Sequence, residues 1–531
     1  MRVQWPDSRH HRQGLARMVS VVLLLITACA PSLAASPAVS ADSGRERVGY
    51  YGNWTAYSSG YSLKDVDTSG AASNLTTLIY SFENINPDTL TCFQAASAAS
   101  TDDNNPNAGD YAGDVWGDYQ RPFSADEAVD GQADSPAQPL RGNFNQLKEL
   151  KAKHPHLKML LSIGGWTFSK YFSDAAATAA SRQTFVSSCV DMYIRGNLPT
   201  GIAGDTTAGG PGAAAGIFDG IDIDWEFPAS SNGHVGNHTS PNDTANYTAL
   251  LAEFRSQLNA QGTIDGRHYY LTAAVPAGSS NIDNTQASQI TPSLDWANVM
   301  TYDMHGAWET TGPTNFQAPL YTSPVDPATS QGLSVDQAIQ HWEDAGIPAN
   351  KLVMGIPFYW RGWSGVTAGT TQGLYQAAGG PSPAYPYTQQ PGTAQYRELL
   401  MAGELNPLFL HTDPITQSPW IYDSSGTFYT GDTPASVGQK ALYIRSHGLR
   451  GAMVFSLEGD DSQGSLLKAL VSGLNGADQT TPYGYDLNYQ PLSPAGLYGH
   501  TAVNPYDGRG VSPGSGSLPA PGLGPQAAPV L

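Results

Sequence analysis

At residues 218–228 the chain contains the sequence FDGIDIDWEFP, and the prediction of the fold starts from this stretch. Successive side chains of a β-strand point to opposite faces. Asp222, Asp224 and Glu226 therefore project from one face, at about 6–7 Å per pair, while the other face is apolar. Carboxylates this close repel one another, which raises the pKa of at least one of them. The stretch predicts a strand that presents a proton donor beside a negatively charged partner.

Seven other segments have the composition of buried strands and alternate with segments of helical periodicity. This alternation predicts a parallel sheet. Eight such units, with chemistry-bearing residues at the C-terminal ends of the strands, favour a closed (β/α)8 TIM barrel of the α/β class over an open sheet. The seven segments are residues 48–54, 77–82, 158–166, 270–276, 296–302, 351–358 and 451–456.

The domain organisation follows from where this alternation fails. We expect the barrel to span residues 47–475. Residues from about 86 to 138 are rich in Asp, Asn and Gly, too long for an ordinary loop, and predict an insertion on the barrel rim. Residues from about 362 to 431 predict a small α+β insertion between the seventh and eighth strands. Residues 478–531 are rich in Pro and Gly and predict a disordered tail.

The N-terminus has the features of an export signal. Residues 1–35 combine several arginines with an apolar run that is too short to span a membrane. Residues 36–46 then predict a flexible leader. Cleavage near Ala34 would give a secreted, extracellular protein. A lipobox-like sequence before Cys29 gives the alternative of a lipid anchor at the cell surface.

Two further cysteines remain after that segment, Cys92 and Cys189. In an oxidising compartment such a pair can form a disulfide. Cys189 also lies on an apolar helical stripe, which is equally compatible with two buried thiols. The sequence leaves both alternatives open.

The overall charge restricts the partners. The chain has 531 residues and a formal net charge of −20, with only 14% charged residues. A strongly acidic protein is a poor partner for nucleic acid or an anionic membrane. We therefore expect no nucleic acid as a partner. We also expect no nucleotide partner and a monomeric protein. A neutral polysaccharide stays compatible with this charge.

Several motifs together resemble glycoside hydrolase family 18, the chitinases. The pattern DxxDxDxE at residues 219–226 resembles the active-site signature of that family. Residues 162–165, SIGG, resemble its motif after the third strand, and residues 300–303, MTYD, its motif after the sixth. Residues 355–363 resemble its seventh-strand segment. The resemblance covers about residues 47–475 and implies hydrolysis of β-1,4-linked N-acetylglucosamine in chitin and chitooligosaccharides.

The resemblance also implies roles for the acidic strand. The family uses a substrate-assisted, retaining mechanism. Glu226 would protonate the leaving oxygen, and the acetamido group of the substrate would be the nucleophile. Asp224 would hold the acetamido N–H and stabilise the resulting cation, with Asp222 behind it. Tyr302 would orient the acetamido oxygen, and Asp219 would be structural.

Other positions of the motifs would bind sugar, because aromatic rings bury the apolar face of a sugar and polar side chains bond its hydroxyls. The family usually has Trp followed by Glu at the eighth strand, where this chain has Phe455 and Ser456. Trp360 replaces an expected Gly, which would narrow the cleft. No metal and no cofactor are implied. The implied substrate-binding residues are Trp54, Gly165, Trp166, Met300, Asp303, Tyr359, Arg361 and Phe455.

Aromatic residues at the strand ends leave two interpretations open. They either form platforms for sugar rings or plug the mouth of the barrel. Among them we favour the platform interpretation for Tyr302. The residues are Trp54, Trp166, Tyr302, Trp308 and Trp363.

Three other functions are alternatives to chitin hydrolysis. A non-catalytic chitin-binding lectin on the same barrel would lack the acid, and Glu226 is present. An endo-β-N-acetylglucosaminidase acting on N-glycans fits the motifs, although the long insertion before the eighth strand favours a polymer. A metal-dependent hydrolase would need ligands. His305 is the one histidine just past a strand end, which does not make a transition-metal site, whereas Asp and carbonyl oxygens could still hold a hard cation.

Overall fold

The computed structural model describes residues 44–476, and the predicted signal segment and tail lie outside them. Its strands are β1 (Glu46–Gly52), β2 (Thr77–Ile85), β3 (Cys92–Phe93), β4 (Lys158–Gly164), β5 (Gly220–Asp224), β6 (Tyr270–Val275), β7 (Trp296–Val299), β8 (Leu352–Pro357), β9 (Tyr359–Ser364), β10 (Gly380–Pro381), β11 (Thr393–Gln395), β12 (Leu410–Asp413), β13 (Ser418–Tyr422), β14 (Phe428–Thr430) and β15 (Gly451–Phe455).

The helices lie between the strands. They are α1 (Thr55–Ser58), α2 (Leu63–Thr68), α3 (Ala71–Asn74), α4 (Gly142–Lys153), α5 (Phe172–Ala176), α6 (Ala179–Cys189), α7 (Asp243–Asp265), α8 (Ser279–Asp283), α9 (Ala287–Ile290), α10 (Val335–Ala345), α11 (Tyr396–Ala402), α12 (Pro434–Ser446) and α13 (Ser465–Leu474). Among these helices, none is both long enough and apolar enough to cross a membrane.

Eight parallel strands close into a barrel. Around it they follow the order β1, β2, β4, β5, β6, β7, β8, β15, and β15 pairs with β1 to close the ring. This confirms the predicted (β/α)8 fold. Closure buries both faces of each strand, which is why the strand segments are apolar almost throughout.

The core has an outer and an inner layer. The larger apolar cluster fills the space between strands and helices, and contains residues such as Ile221 and Ile223 of β5. A smaller cluster fills the inside of the barrel, with Tyr50, Leu160 and Met453 among its members. The alternation of side chains along each strand sorts residues between these layers, so the inner layer leads directly to the C-terminal mouth, where TIM barrels place their sites.

Local capping sets several helix boundaries. Ser334 accepts a hydrogen bond from a backbone N–H at the start of α10, and Thr433 does so at the start of α12, where Pro434 is the first helical residue. Both caps agree with the sequence. The expectation that Asp243 caps α7 is wrong by one position, because Asn242 is the N-cap and Asp243 is already helical.

The predicted α+β insertion is a second sheet between the seventh and eighth barrel strands. Its antiparallel strands have the order β10, β9, β14, β13, β12, with β11 also paired to β9, and α11 packs beside them. The sheet begins at Tyr359, three residues before the expected boundary, because β9 follows β8 almost without a break.

A disulfide joins Cys92 of β3 to the last residue of α6, Cys189. It ties the base of the segment predicted as the rim insertion to the helical layer. The structure thereby decides between the two alternatives that the sequence left open.

The two insertions meet across the mouth of the barrel. Lys170, which follows β4, donates hydrogen bonds to Asn107 at 2.8 Å and to Asp110 at 2.9 Å, and so fixes the rim segment above that side. From the other insertion, Gln390 donates to Asp103 at 3.4 Å. The strands β4 and β8 lie opposite each other in the ring, so this contact bridges the mouth.

Candidate active site

A cavity lies at the C-terminal end of the barrel, with about 280 Å³ of empty space that is partly open to solvent. It contains both of the outer carboxylates of the acidic strand and an aromatic wall, so it joins a proton donor to surfaces that can hold a sugar ring. Its lining residues are Tyr50, Phe82, Trp166, Asp224, Glu226, Ala274, Met300, Tyr302 and Phe455.

Asp222 lies beneath the cavity and is surrounded by donors. Its Oδ2 accepts from Tyr50 Oη and Ser162 Oγ, each at 2.8 Å. Its Oδ1 accepts from Thr272 Oγ1 at 2.5 Å and Asn298 Nδ2 at 3.3 Å. Four donors stabilise the ionised form of the carboxylate against the cost of burial.

Asp224 has a different environment two residues further along β5. Its Oδ1 is buried and has no hydrogen-bond partner within residues 44–476. Burial and the charge of Asp222 raise the pKa of Asp224 well above its usual value. Burial raises the pKa of Asp222 as well, but its four donors oppose that effect. The protein therefore stabilises the ionised form of Asp222 through more hydrogen bonds than that of Asp224.

Glu226 lies just past the end of β5 and faces the cavity. Burial, followed by the charges of Asp224 and Asp303, raises its pKa well above the usual value. The side chain therefore keeps its proton to a higher pH than an ordinary glutamate does. A buried, protonated carboxyl group at a cavity is suited to general-acid catalysis.

The segment after β7 forms a second polar group at the cavity. Asp303 accepts from Tyr359 Oη and from Arg361 Nε, each at 2.6 Å. The guanidinium of Arg361 lies over the rings of Tyr359 and Trp308, at 5.0 and 5.3 Å from their centroids. Tyr302 faces the cavity, and its Oη lies 3.8 Å from Met453 Sδ.

An aromatic floor crosses the cavity. Phe455 stacks on Phe82, with ring centroids 6.5 Å apart and planes at 23°. Phe82 in turn stacks on Trp54 at 6.0 Å and 19°. These three rings form one continuous apolar surface beside the carboxylates.

Comparison with known proteins identifies the family of this chain. The family model described as "Glycosyl hydrolases family 18" matches residues 46–460. The chain belongs to glycosyl hydrolase family 18.

Individual members of family 18 resemble the chain over most of its length. It is 36% identical over 459 residues to chitinase A1 of Niallia circulans, covering 82% of this chain and 60% of that protein. It is 34% identical to chitinase 63 of Streptomyces plicatus, covering 81% and 60%. The solved catalytic domain of chitinase B from Arthrobacter TAD20 is 44% identical, covers 82% of this chain and 96% of its own, and superposes with a TM-score of 0.76.

The chain thus spans about 60% of the length of the two curated relatives. Family membership applies to the barrel that the match covers. The activity and substrate of the protein are accordingly argued below from its own site.

Other positions predicted from the family-18 motifs lie close to this cavity. Trp166 lines it and meets His234 edge-on, with centroids 5.7 Å apart. Gly165 has a φ of 81°, and a Cβ there would lie 2.9 Å from the ring of Phe82, so only glycine fits both the turn and the floor. Met300 completes the wall.

Two tryptophans lie away from the cavity. Trp363 is fully buried in the core of the α+β insertion, where its Nε1 donates to the Glu309 carbonyl at 3.0 Å. It is therefore neither a platform nor a plug. Trp360 is fully buried in the main core against Gly431, so the expectation that it narrows the cleft is wrong. Residues alternate along β9, but the sequence does not show which face the insertion covers.

The sequence motifs did not identify Tyr50, Phe82 and Ala274 as lining residues. Each lies on or directly after a barrel strand, on its inward face. They could have been identified by counting every second residue along each strand from a residue that points inward, such as Asp224.

The eighth barrel strand, β15, is followed by Ser456, where the family usually has Glu. Ser456 Oγ donates to Glu458 Oε1 at 2.7 Å, and both side chains are buried. A carboxylate is therefore present beside the strand end, two residues later than the resemblance places it.

The described residues form no metal centre. Within residues 44–476, no group of three or more His, Cys, Asp or Glu side chains is arranged to hold a metal ion. His305 is paired with Glu309, whose two carboxylate oxygens each lie 3.1 Å from His305 Nδ1.

Proposed function

We propose that the protein hydrolyses β-1,4-N-acetylglucosaminide linkages in chitin and chitooligosaccharides by a substrate-assisted, retaining mechanism. The observation that carries the proposal is the pairing, in one cavity, of the buried Glu226, whose pKa is raised, with an Asp224 whose Oδ1 has no protein partner in the described chain. The names of the similar Niallia, Streptomyces and Arthrobacter proteins, all called chitinases, support it.

Glu226 is the general acid in this proposal. It gives its proton to the glycosidic oxygen as the bond to the anomeric carbon breaks, so the leaving sugar departs as a neutral alcohol. The raised pKa keeps the proton available to a higher pH than in an ordinary glutamate, and general-acid catalysis contributes roughly 10²–10⁴-fold to such rates.

The acetamido oxygen of the substrate is the nucleophile. It attacks the anomeric carbon from the opposite face and forms a cyclic oxazolinium ion. Water then opens this ion with retention of configuration and gives its proton to the carboxylate of Glu226, which restores the general acid. Asp224 accepts the acetamido N–H on its free oxygen and stabilises the positive charge. Asp222 lies behind Asp224, and its four donors stabilise its ionised form.

Tyr302 and the aromatic floor position the sugar. The Tyr302 hydroxyl bonds the acetamido oxygen, and the rings of Trp54 and Phe455 bury the apolar face of the sugars. Asp303 and Arg361 are held rigid by their mutual bond and offer polar groups to the sugar hydroxyls. Tyr359, which also bonds Asp303, completes this side of the site.

Partly deacetylated chitin provides the experiment. If the acetamido group is the nucleophile, the sugar on the non-reducing side of each cut must carry it, and mass spectrometry should find N-acetylglucosamine at every new reducing end. Glucosamine there, in proportion to the substrate composition, would contradict substrate assistance. Failure to release any reducing ends from chitotetraose would contradict the hydrolase proposal itself, and Glu226→Gln provides the blank.

We also propose that the protein is exported. The disulfide between Cys92 and Cys189 supports an oxidising compartment. Fractionation of a native host separates the two routes: a secreted protein appears in the culture medium, whereas a lipoprotein stays with the cells until Cys29→Ala releases it. Retention in the cytoplasm with free thiols would contradict export by either route.

A further inference from the structure

The backbone of Glu226 lies beyond the support of the sheet. The strand β5 ends at Asp224, so the ladder of backbone hydrogen bonds stops two residues before the acid. The position of a side chain follows that of its own backbone. Some other contact must therefore hold the N–H and C=O groups of Glu226 in place.

Ser169 holds the N–H side. The Glu226 N–H donates to Ser169 Oγ at 2.9 Å. The same oxygen lies 2.8 Å from the Gly165 carbonyl and 3.0 Å from the Asp224 carbonyl, so its proton is shared with these acceptors. Ser169 is completely buried. One hydroxyl thus joins the turn after β4, the end of β5 and the acid.

Asn237 holds the opposite side. Its Nδ2 donates to the Glu226 carbonyl at 2.7 Å. The same loop approaches that carbonyl at Gly233, where a Cβ would clash with the oxygen. The loop is therefore packed closely against the backbone of the acid, and its amide donor is aimed at the one carbonyl that follows the catalytic side chain.

We propose that Ser169 and Asn237 are positioning residues that clamp the peptide groups on both sides of Glu226 and so aim its carboxyl group at the glycosidic oxygen. The inference rests on the proposed function of Glu226 as general acid. Neither side chain is among the lining residues of the cavity, and both act through the backbone of Glu226.

The alignment of the Glu226 carboxyl group matters because it can transfer its proton only within hydrogen-bond distance of the leaving oxygen. A misplacement of about 1 Å can slow an enzyme by about 10²-fold. Ser169→Ala and, separately, Asn237→Ala should each lower kcat by about 10- to 100-fold with little change in KM, because the lost alignment acts in the transition state.

The leaving group provides the readout that a merely structural role would not change. A dinitrophenyl glycoside of diacetylchitobiose releases an acidic phenol that needs almost no protonation, whereas chitotetraose releases a sugar alcohol that needs it. The two variants should lose far less activity on the aryl glycoside than on chitotetraose. Ser169→Thr, which keeps the hydroxyl, should recover part of the loss on chitotetraose.

The chain offers matched controls outside the site. Ser188 Oγ also accepts a backbone N–H, from Cys92 at 2.9 Å, and donates to the Phe185 carbonyl at 2.6 Å. Asn284 donates to the Ala229 carbonyl at 3.1 Å. Ser188→Ala and Asn284→Ala should change Tm by amounts comparable to the test variants and leave kcat unchanged on both substrates.

The outcomes are separable. Equal losses on the two substrates, or no loss in correctly folded variants, would overturn the positioning role. If Ser169→Ala fails to fold, the half-buried Asn237 provides the test by itself. A wild-type protein that cleaves neither substrate would instead overturn the proposed function, and a wild-type protein that cleaves both leaves the clamp to be decided by the variants alone.

Discussion

Asp222 and Asp224 project from the same face of one strand, yet Asp222 accepts hydrogen bonds from four side chains while Asp224 Oδ1 accepts none within the described residues. The donors stabilise negative charge on Asp222, and that charge raises the pKa of Asp224 above it. The difference between the two carboxyl groups is therefore set by neighbours from four other barrel strands. This asymmetry leads to the predictions for the acid.

Glu226→Gln removes the transferable proton and preserves the size of the side chain. We expect hydrolysis of chitotetraose to fall by at least roughly 10², while the affinity for the oligomer, measured by calorimetry, stays within about twofold. Glu253→Gln, on the outer helix α7, is the matched control and should keep the parent rate. Near-parental turnover by Glu226→Gln would assign the acid to another residue.

The pH dependence of turnover follows from the same carboxyl group. Glu226 must hold its proton to act, so activity is present below its pKa and is lost as pH rises through that pKa. Burial and the charges of Asp224 and Asp303 raise this pKa, so kcat for a short oligomer should stay high at neutral pH and fall on the alkaline side. A fall in kcat centred near pH 4–5, the range of an ordinary glutamate, would contradict the assignment.

Phe455→Trp enlarges the aromatic floor. If Phe455 lies under the sugar that is cleaved, the larger ring should tighten binding by around 0.5–1.5 kcal/mol, measured by calorimetry in the Glu226→Gln background. The control Phe409→Trp enlarges a half-buried ring of the insertion outside the cavity and should leave the affinity unchanged. Equal affinities for parent and Phe455→Trp would place Phe455 away from the bound sugar.

A buried carboxyl group outside the site should make stability depend on pH. Glu83 accepts from Tyr193 Oη at 2.9 Å and from Gln94 Nε2 at 2.8 Å. Burial raises its pKa from 4.5 to about 8, with the charge of Asp114 adding to the rise. Asp118, whose pKa is also raised by burial and by the charge of Glu83, lies in the same cluster.

The folded state therefore keeps a proton on Glu83 that the unfolded chain releases. The stabilisation is fully present below pH 4.5 and is lost as pH rises towards 8, by about 1.4 kcal/mol per pH unit for one proton. Urea unfolding at pH 5 and pH 8 should show this loss in the wild type, and Glu83→Gln should remove part of it. The same pH slope in both proteins would contradict the role of Glu83, and Glu253→Gln should keep the wild-type slope.

The disulfide should contribute to stability through the unfolded chain. Cys92 and Cys189 are 97 residues apart, and closing a loop of that length is worth at most about 4–5 kcal/mol in the chain-entropy model. Cys92→Ala combined with Cys189→Ala should lower Tm, and a reductant should lower Tm of the wild type but not of the double variant. A wild-type Tm that does not respond to complete reduction would contradict this contribution.

Much of the fold could be predicted because its determinants are local. The apolar strands and the caps at Ser334 and Thr433 depend on residues close in sequence, and strand alternation alone placed Asp222, Asp224 and Glu226 on one face. The chemistry of that face then followed from the residue types.

The remaining features depend on contacts between distant segments. The partners of Asp222 come from four other barrel strands, and the pairing of Cys92 with Cys189 joins separate units. The burial of Trp363 could not be predicted, because no residue near it in sequence shows that the insertion sheet covers its ring. The role of Ser169 could not be predicted for the same reason, because it depends on a contact with the distant backbone of Glu226.

The contact between Gln390 and Asp103 connects the α+β insertion to the rim insertion, so that protein surrounds the mouth of the barrel as a ring. A polymer with two long ends cannot be laid sideways into a closed ring. An exposed hydrogen bond contributes only about 0.5–1.5 kcal/mol, and loop contacts open within nanoseconds to microseconds, whereas typical enzymes turn over about 1–10³ times per second. On these general timescales the hydrogen bond between Gln390 and Asp103 would open many times within one turnover. Under the proposed function, a long polymer would enter the ring sideways through these openings, and a bound polymer would leave sideways in the same way.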